Sequence, residues 1–144
     1  LSNREIMNTL LGQREKVLRI LRFYRDIIDI KESNLLNGNI HSESIVVNNS
    51  RFTGLNDWEQ MLIGDPVDDL AYLSIMPTLE KWLPVVKRGW EEVIKDCNLE
   101  EKIHLYRLLE AYRKIFTRYL KHHYLNDYPE PLVIAEEELK YYNR

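Results

Sequence analysis

The sequence is poor in the features that mark several common classes of protein. Its single cysteine, Cys97, excludes an internal disulfide framework and any metal site built from several cysteines. No apolar run approaches the roughly 18 residues of a membrane-spanning helix. The first residues, Leu1-Ser2-Asn3-Arg4, lack the apolar stretch of a signal peptide. These absences predict a soluble cytoplasmic protein with no membrane partner.

The charges show no excess of one sign. The chain carries 20 Lys and Arg residues against 23 Asp and Glu residues, for a formal net charge of -3. They are spread along the sequence without long blocks of one sign, so the chain lacks the basic footprint of a nucleic-acid-binding protein. We therefore expect no nucleic-acid partner.

The length and composition predict one globular unit over residues 1–144. The chain has 144 residues, of which 44% are hydrophobic, enough for one sizeable core and too few for two ordinary domains. It begins with Leu1 instead of methionine, which indicates a processed or excised chain.

Helical periodicity covers most of the sequence. Apolar residues recur at spacings of three and four from Ile6 onward, and the pattern predicts a helix over residues 3–30. Pro66 at a first helical position opens a second helix that runs through Leu73. The same reasoning predicts further helices over residues 78–96, 99–124 and 132–142.

One segment breaks this period and reads as a β-hairpin. The run Ser44–Asn48 is rich in β-branched residues, Asn48-Asn49-Ser50 is typical of a turn, and Phe52–Leu55 forms a second short strand. The sequence thus predicts a mainly α fold with a small β-hairpin lodged between the first and second helical blocks.

Residues 35–73 carry a series of short motifs at fixed spacing. They read L-L-N-G-N-I-H-S-E-S-I-V-V-N-N-S-R-F-T-G-L-N-D-W-E-Q-M-L-I-G-D-P-V-D-D-L-A-Y-L. This stretch resembles the catalytic core of the aminoglycoside phosphotransferase and choline kinase family, which carries H-G-D-x-x-x-x-N, then I-D-W-E, then G-D-P-x-x-D-L-A. The spacing agrees without insertion, so the resemblance implies the helical carboxy-terminal lobe of a protein kinase-like fold, with its catalytic loop and hairpin at residues 34–59.

The resemblance assigns roles to three positions of the loop and hairpin. Asn39 falls on the family's catalytic Asp, Ser44 on its metal-binding Asn, and Asp57 on its metal-binding Asp. An amide such as Asn39 can orient an acceptor hydroxyl but lacks the basicity to take its proton, and Ser44 offers a short neutral oxygen to a hard cation. Asn37 stands where the family has a His that braces the loop. These departures predict a degenerate catalytic site.

Further residues complete the predicted site. Asp69 is expected to hold the loop of residues 37–44 by hydrogen bonds, as the resemblance implies, and Asp65 before Pro66 is expected to cap a helix. His41 lies two residues after Asn39 and is either a substitute base, since imidazole titrates near neutrality, or a donor that braces the loop.

The family resemblance implies ATP and Mg²⁺ as cofactors, but it covers only one of the two lobes. The phosphate-gripping Lys and the covering loop come from an amino-terminal sheet in such kinases. Nothing before residue 34 reads as strands, and no G-x-G-x-x-G occurs. We therefore expect the nucleotide-binding amino-terminal lobe to be absent from this chain.

Three functions fit these observations. The first is a pseudokinase that keeps the fold but has lost phosphoryl transfer. The second is an active ATP-dependent small-molecule kinase, when joined to an amino-terminal lobe, with His41 or Glu43 as base and Asp57 as the main metal ligand. The third is a helical interaction module that meets a missing lobe or self-associates. A small cationic or hydroxylated metabolite is the expected ligand of the first two.

Overall fold

The structure, a computed structural model, describes residues 3–28, 33–76, 79–122 and 130–143. These residues form mostly helices and two small antiparallel sheets. The helices are α1 (Asn3–Phe23), α2 (Arg25–Ile28), α3 (Val67–Ser74), α4 (Leu83–Val93), α5 (Leu99–His122) and α6 (Glu130–Tyr141). The strands are β1 (Asn34–Leu36), β2 (Ile45–Asn48), β3 (Arg51–Leu55) and β4 (Leu62–Gly64). The predicted mainly α fold is confirmed.

The chain divides into two compact units. One consists of Leu1–Asp29 together with Leu108–Arg144, and the other of Ile30–Arg107. The division falls within α5. Every residue of the predicted catalytic loop and its supports belongs to the unit of Ile30–Arg107, which is therefore the part of the molecule that positions the site.

The core of the unit of Ile30–Arg107 joins α3 to the first turns of α5. It consists of the buried residues Val67, Leu70, Leu99 and Ile103 with the partly buried Leu83, Trp90 and Tyr106 packed against them. Val67 and Leu70 are three residues apart on α3, and Leu99 and Ile103 are four apart on α5, so each helix presents one apolar face. Burial of these side chains fixes α3, which carries Asp69 and Tyr72, beneath the loop.

A separate core lies in the other unit. Ile6 and Leu10 on α1 pack with Ile115 on α5, and Tyr112 and Leu132 lie partly buried against them. The spacing of four residues between Ile6 and Leu10 is the apolar period from which the first helix was predicted. That helix is observed as α1 and α2 with a bend at Tyr24, while residues 29 and 30 lie outside the described residues.

The predicted hairpin is confirmed. Strands β2 and β3 pair antiparallel with Asn48 opposite Arg51 and Ile45 opposite Leu55. The two turn residues, Asn49 and Ser50, both have positive φ angles of 50° and 60°. Two consecutive positive φ values are typical of the type I′ turn, whose twist matches that of the flanking strands.

A second sheet, which was not predicted from the sequence, lies next to the start of the loop. Strand β1 pairs antiparallel with β4, with Asn34 opposite Gly64 and Leu36 opposite Leu62. Each strand has only three residues, too few to show the alternation that identifies a strand. This sheet brings residues 34–36, immediately before the loop, next to residues 62–64, immediately before α3.

Two predicted helices have different bounds in the structure. The helix predicted over residues 78–96 is observed as a 3₁₀ turn at Glu80–Trp82 followed by α4, which ends at Val93. Ile94 is extended, and the Asp96 carboxylate accepts the Asn98 N–H at 2.9 Å, so Asp96 lies in the turn that precedes α5. Helix α6 begins at Glu130, two residues earlier than predicted, because a proline in the first turn loses no helical hydrogen bond.

No helix among the described residues is long and apolar enough to cross a membrane.

Candidate functional site

The loop of residues 37–44 is held at its start by a carboxylate from α3. The backbone N–H of Asn37 donates to Asp69 Oδ2 at 2.8 Å, and the backbone N–H of Gly38 donates to Asp69 Oδ1 at 2.8 Å. Both oxygens of Asp69 are thus used on consecutive peptide groups. Hydrogen bonds to an ionised carboxylate are stronger than neutral ones, so this contact clamps the loop onto α3.

Gly38 allows the loop to turn in a narrow space. Its φ is +74°, and a Cβ added there would lie 2.4 Å from the carbonyl oxygen of Gln60. Only glycine adopts this conformation and this close approach without strain. The loop is therefore pressed against the segment that leads from the hairpin into β4.

Asn37 braces the loop from inside. It is 1% exposed. Its Nδ2 donates to the carbonyl oxygens of Asn56 at 3.1 Å and Asp57 at 3.3 Å, and its Oδ1 accepts the N–H of Asn39 at 3.2 Å. At the position where the family has a bracing His, the amide of Asn37 thus connects the loop to the residues that follow β3.

Asn39, at the position of the family's base, has its oxygen engaged by α3. The hydroxyl of Tyr72 donates to Asn39 Oδ1 at 2.6 Å. Tyr72 is 7% exposed, whereas Asn39 is partly exposed. The amide oxygen of Asn39 therefore accepts one hydrogen bond from within the protein.

Ser44, predicted as a metal ligand, closes a turn of the loop. It is fully buried at 0% exposure. Its hydroxyl donates to the carbonyl oxygen of His41 at 2.8 Å and accepts the N–H of His41 at 3.0 Å. The backbone carbonyl of Ser44 accepts the N–H of Asn56 at 2.8 Å. The hydroxyl is thus used within the loop, and the structure places it as a support.

His41 and Asp57 meet at the outer side of the loop. His41 Nε2 lies 3.3 Å from Asp57 Oδ2, and the side chain of Asp57 is 49% exposed while that of His41 is 26% exposed. Asp57 follows β3 with a φ of 56°, a left-handed conformation that Asp tolerates better than most residues. The Asp57 carboxylate is therefore one of the acidic groups that this region exposes to solvent, together with that of Glu43.

These residues do not fit the two-ligand magnesium centre that the family resemblance implies. Magnesium takes near-octahedral oxygen ligands. Asp57 supplies a carboxylate, but the Ser44 hydroxyl is buried and committed to His41. Within residues 3–28, 33–76, 79–122 and 130–143, no group of three or more His, Cys, Asp and Glu residues is placed to hold a metal ion.

The Asp65 carboxylate contacts the first turn of α3 and the first turn of α5. Its Oδ1 accepts the N–H of Val67 at 3.0 Å, which caps the beginning of α3, and its Oδ2 lies 2.9 Å from Lys102 Nζ on α5 as an ion pair. Lys102 Nζ also lies 2.8 Å from Asp96 Oδ2. The side chains of Asp65 and Lys102 are 3% and 13% exposed, so Asp65, Lys102 and Asp96 form a largely buried ion cluster.

The ion cluster shifts the pKa values of Lys102 and Asp96. Burial by itself would lower the pKa of Lys102, but its contacts with Asp96 and Asp65 outweigh burial and raise it above the ordinary value. Burial would raise the pKa of Asp96, yet Lys102 and the Asn98 N–H lower it below the ordinary value. Burial, followed by the charges of Asp65 and Asp68, raises the pKa of Tyr106. The charged cluster is thus stable around neutral pH.

Tyr72 and Lys102 are the residues of this region that sequence reasoning missed. Tyr72 fits the apolar period of α3 and reads as core, and its hydroxyl meets a partner 33 residues away. Lys102 lies in the acidic and basic first turn of α5, where a solvent-exposed face is expected. Neither carried a signal in the sequence that pointed to its partner.

No protein-family model matches the chain, and no curated protein matches it. Solved structures do. The crystal structure of a thermostable mutant of aminoglycoside phosphotransferase APH(4)-Ia in its apo form is similar to the chain, with a TM-score of 0.70 and 16% sequence identity. The match covers 92% of this chain and 45% of that one.

A ternary complex of a thermostable mutant of the same phosphotransferase with ADP and hygromycin B gives a TM-score of 0.71, again at 16% identity, over 92% of this chain and 44% of that one. The chain therefore spans less than half the length of these structures. At this level of identity the likeness establishes the fold, which is that of the carboxy-terminal lobe of a kinase-like protein.

Proposed function

We propose that the chain is the carboxy-terminal lobe of a small-molecule phosphotransferase-like protein of the aminoglycoside or choline type, and that it binds ligand without efficient phosphoryl transfer. The observation that carries this proposal is the state of position 39. An amide stands there, and its oxygen accepts a hydrogen bond from Tyr72 at 2.6 Å. This amide does not take a proton, and its oxygen already accepts one hydrogen bond from the protein.

The loss of a base has a definite cost in rate. Phosphoryl transfer depends on positioning the acceptor and on neutralising charge, and a carboxylate normally orients and deprotonates the acceptor hydroxyl. General-base assistance is typically worth about 10²–10⁴ in rate. The burial of Ser44 removes a metal ligand as well. Both changes weaken catalysis while leaving the loop folded.

The remaining exposed groups favour a small polar ligand. The half-exposed carboxylate of Asp57 suits a cationic or hydroxylated metabolite, and the loop around it is braced by Asn37 and Asp69. ATP with Mg²⁺ is the cofactor expected of the fold, and the similar structure holds ADP and hygromycin B. A nucleotide-binding lobe joined to this chain, or a second copy of the chain, is the proposed protein partner.

A thermal-unfolding titration with ADP, with and without Mg²⁺, tests binding. A ligand at about 100 times its Kd stabilises the folded state by about 2.7 kcal/mol, which is readily measured. We expect stabilisation by ADP in the intact protein, together with turnover well below about 1 s⁻¹ when ATP, Mg²⁺ and a panel of hydroxylated amines are supplied.

Two outcomes count against the proposal. Turnover of about 1 s⁻¹ or more, an ordinary rate for kinases, would refute the loss of transfer. A flat thermal response to ADP would refute nucleotide binding and favour the helical interaction module, for which sedimentation at high concentration should then show a dimer or larger species.

One observation favours a second candidate, an active kinase with a rearranged base. His41 Nε2 lies 3.3 Å from Asp57 Oδ2, an arrangement in which a carboxylate orients an imidazole. Imidazole titrates near neutral pH and is a common general base. The exposed Glu43, in the same loop, is the other carboxylate available to this scheme.

Substitution separates the two candidates. An active kinase should lose turnover in Asp57→Ala, and His41→Gln should lower kcat by about 10²–10⁴ if His41 is the base. A conservative control, Glu43→Gln, should leave kcat unchanged in that case. Under the pseudokinase proposal none of these variants changes a rate that is already near background.

A further inference from the structure

The hydrogen bond between Tyr72 and Asn39 fixes which end of the amide faces out of the loop. The phenol donates to Asn39 Oδ1 at 2.6 Å, and the backbone N–H of Asn39 is held by Asn37 Oδ1 at 3.2 Å. One bond positions the backbone of residue 39 and the other positions its side chain. Both the backbone N–H and the side-chain oxygen of Asn39 are therefore restrained.

The other end of the amide, Nδ2, has no hydrogen-bond partner among the described residues. Asn39 Nδ2 is also not among the buried unpaired polar atoms of the described chain. Because the amide is planar, holding Oδ1 against Tyr72 turns Nδ2 away from it. The group of the Asn39 amide that has no partner among the described residues is therefore its donor, Nδ2.

We propose that Tyr72 is a positioning residue that sets the polarity of position 39. With Oδ1 held by Tyr72, Asn39 Nδ2 donates a hydrogen bond to the ligand. At the same position, a phosphotransferase of this fold has a carboxylate that accepts a hydrogen bond from the acceptor hydroxyl. This inference rests on the proposed function for the meaning of position 39. It adds that the ligand group held there carries an acceptor atom.

The same contact affects any carboxylate that is introduced at position 39. A hydrogen bond donated to the ionised form of a carboxyl group stabilises that form and lowers its pKa. A lower pKa makes the carboxylate a weaker base. In the variant Asn39→Asp, Tyr72 should thus hold one oxygen of the new carboxylate and reduce its basicity, so that restoring the acid alone gives a poor base.

The experiment measures the titration midpoint of that carboxylate by carbon-detected NMR in the intact chain. Two variants are compared: Asn39→Asp, and Asn39→Asp combined with Tyr72→Phe. Loss of the phenol should raise the midpoint by about one pH unit or more, the size expected for a charge-assisted hydrogen bond. His41 and Asp57 are present in both variants, so their charges cancel in the comparison.

A matched control comes from a second tyrosine with the same kind of bond. The hydroxyl of Tyr112 donates to Gln13 Oε1, also an amide oxygen, at the same distance of 2.6 Å. Tyr112→Phe in the Asn39→Asp background should leave the midpoint unchanged. A purely structural effect of deleting a phenol would move both variants.

A second measurement does not require Tyr72 to be replaced. In the unaltered chain, the side-chain amide protons of Asn39, identified by their disappearance in Asn39→Asp, should be restrained on the nanosecond timescale, and the Tyr72 Cζ resonance should shift in Asn39→Ala. An unchanged Tyr72 resonance, or equal midpoints with and without the phenol, would overturn the inference and leave the proposed function standing. Rapid turnover by the unaltered chain would overturn the proposed function and leave the Tyr72 contact intact.

Discussion

The loop of residues 37–44 and the helix starts around Asp65 are both stabilised by buried polar side chains, which are neutral in the loop and charged at the helix starts. Both are buried polar regions of the same unit, and both have their polar groups paired. The loop uses neutral side chains, Asn37 and Ser44, which are 1% and 0% exposed and bond to backbone groups. The helix starts use full charges, in the ion cluster of Asp65, Lys102 and Asp96.

This contrast separates two kinds of buried polar contact in the same unit. Asp65 and Asp69 point inward, to backbone N–H groups and to Lys102, and their charges stabilise the fold. Under the proposed function, positions 39 and 44 are the ones assigned to substrate and metal, and both carry neutral side chains. The carboxylates that hold the structure are therefore present, whereas these two positions carry none.

The largest effect should come from breaking the ion cluster. Lys102→Met leaves two carboxylates, Asp65 and Asp96, without their shared cation in a largely buried place. Removal of one partner of a buried pair typically destabilises by about 3–5 kcal/mol. Urea unfolding should show a loss of this size.

Lys95→Met is the matched control for the ion cluster. Lys95 is exposed, and its Nζ donates to the carbonyl oxygen of Glu91 on the same helix end. Substitutions at such surface positions usually change stability by less than about 0.5 kcal/mol. Equal losses in Lys102→Met and Lys95→Met would contradict the view that charge inside this region holds the fold.

A substitution that strains the backbone should destabilise the loop of residues 37–44 most. Gly38→Ala forces a left-handed φ on alanine and sets its Cβ 2.4 Å from the Gln60 carbonyl oxygen, so the loop must shift. Backbone strain of this kind costs on the order of 1–3 kcal/mol before any clash is counted. Gly12→Ala, in the middle of α1 with open space around the added atom, should instead stabilise by about 0.5–1 kcal/mol.

A third change converts the charged clamp of the loop into a neutral one. In Asp69→Asn, one oxygen becomes an NH₂ group that faces the N–H of Asn37 or Gly38 and no longer accepts from it. The loss of one hydrogen bond to a charged group is worth about 1.5–3 kcal/mol. Thermal unfolding measures it, with the exposed Asp26→Asn as a control that should change little. No difference between the two variants would show that the loop does not depend on this clamp.

The fold was predictable where the chain obeys local rules. The turn at Asn48-Asn49-Ser50 and the proline at the start of α3 act over a few residues, and the apolar period of α5 is read along one helix. The strands β1 and β4 were missed because three residues carry no period, and their pairing is set by the packing of the loop between them.

The site was predictable only in part, for a related reason. The resemblance of the motifs singled out Asn39, Asp57 and Asp69, and the structure shows that Asp69 holds the start of the loop. The partners of these residues depend on how distant elements pack, so no pattern in the sequence indicated that Tyr72 would bond to Asn39 or that Lys102 would pair with Asp65. Ser44 was predicted to meet a metal because the motif assigns it a role, whereas its short side chain reaches only the turn that it closes.

The smallest expected effect is on the pH dependence of stability, which should differ between the loop of residues 37–44 and the ion cluster. The side chains of Asn37 and Ser44 do not titrate, so their hydrogen bonds to backbone groups contribute equally at every pH. The pKa of Asp96 lies below its ordinary value of 3.8 because Lys102 and the Asn98 N–H offset the effect of burial. A group whose pKa is lowered by folding stabilises the native state above its unfolded pKa, and this contribution is lost as the pH falls through the folded value. Asp96→Asn should therefore flatten the loss of stability below about pH 4 in acid-unfolding curves, by less than the other variants change stability at neutral pH. An acid limb that is unchanged in Asp96→Asn would mean that the ion cluster is as insensitive to protons as the hydrogen bonds of Asn37 and Ser44.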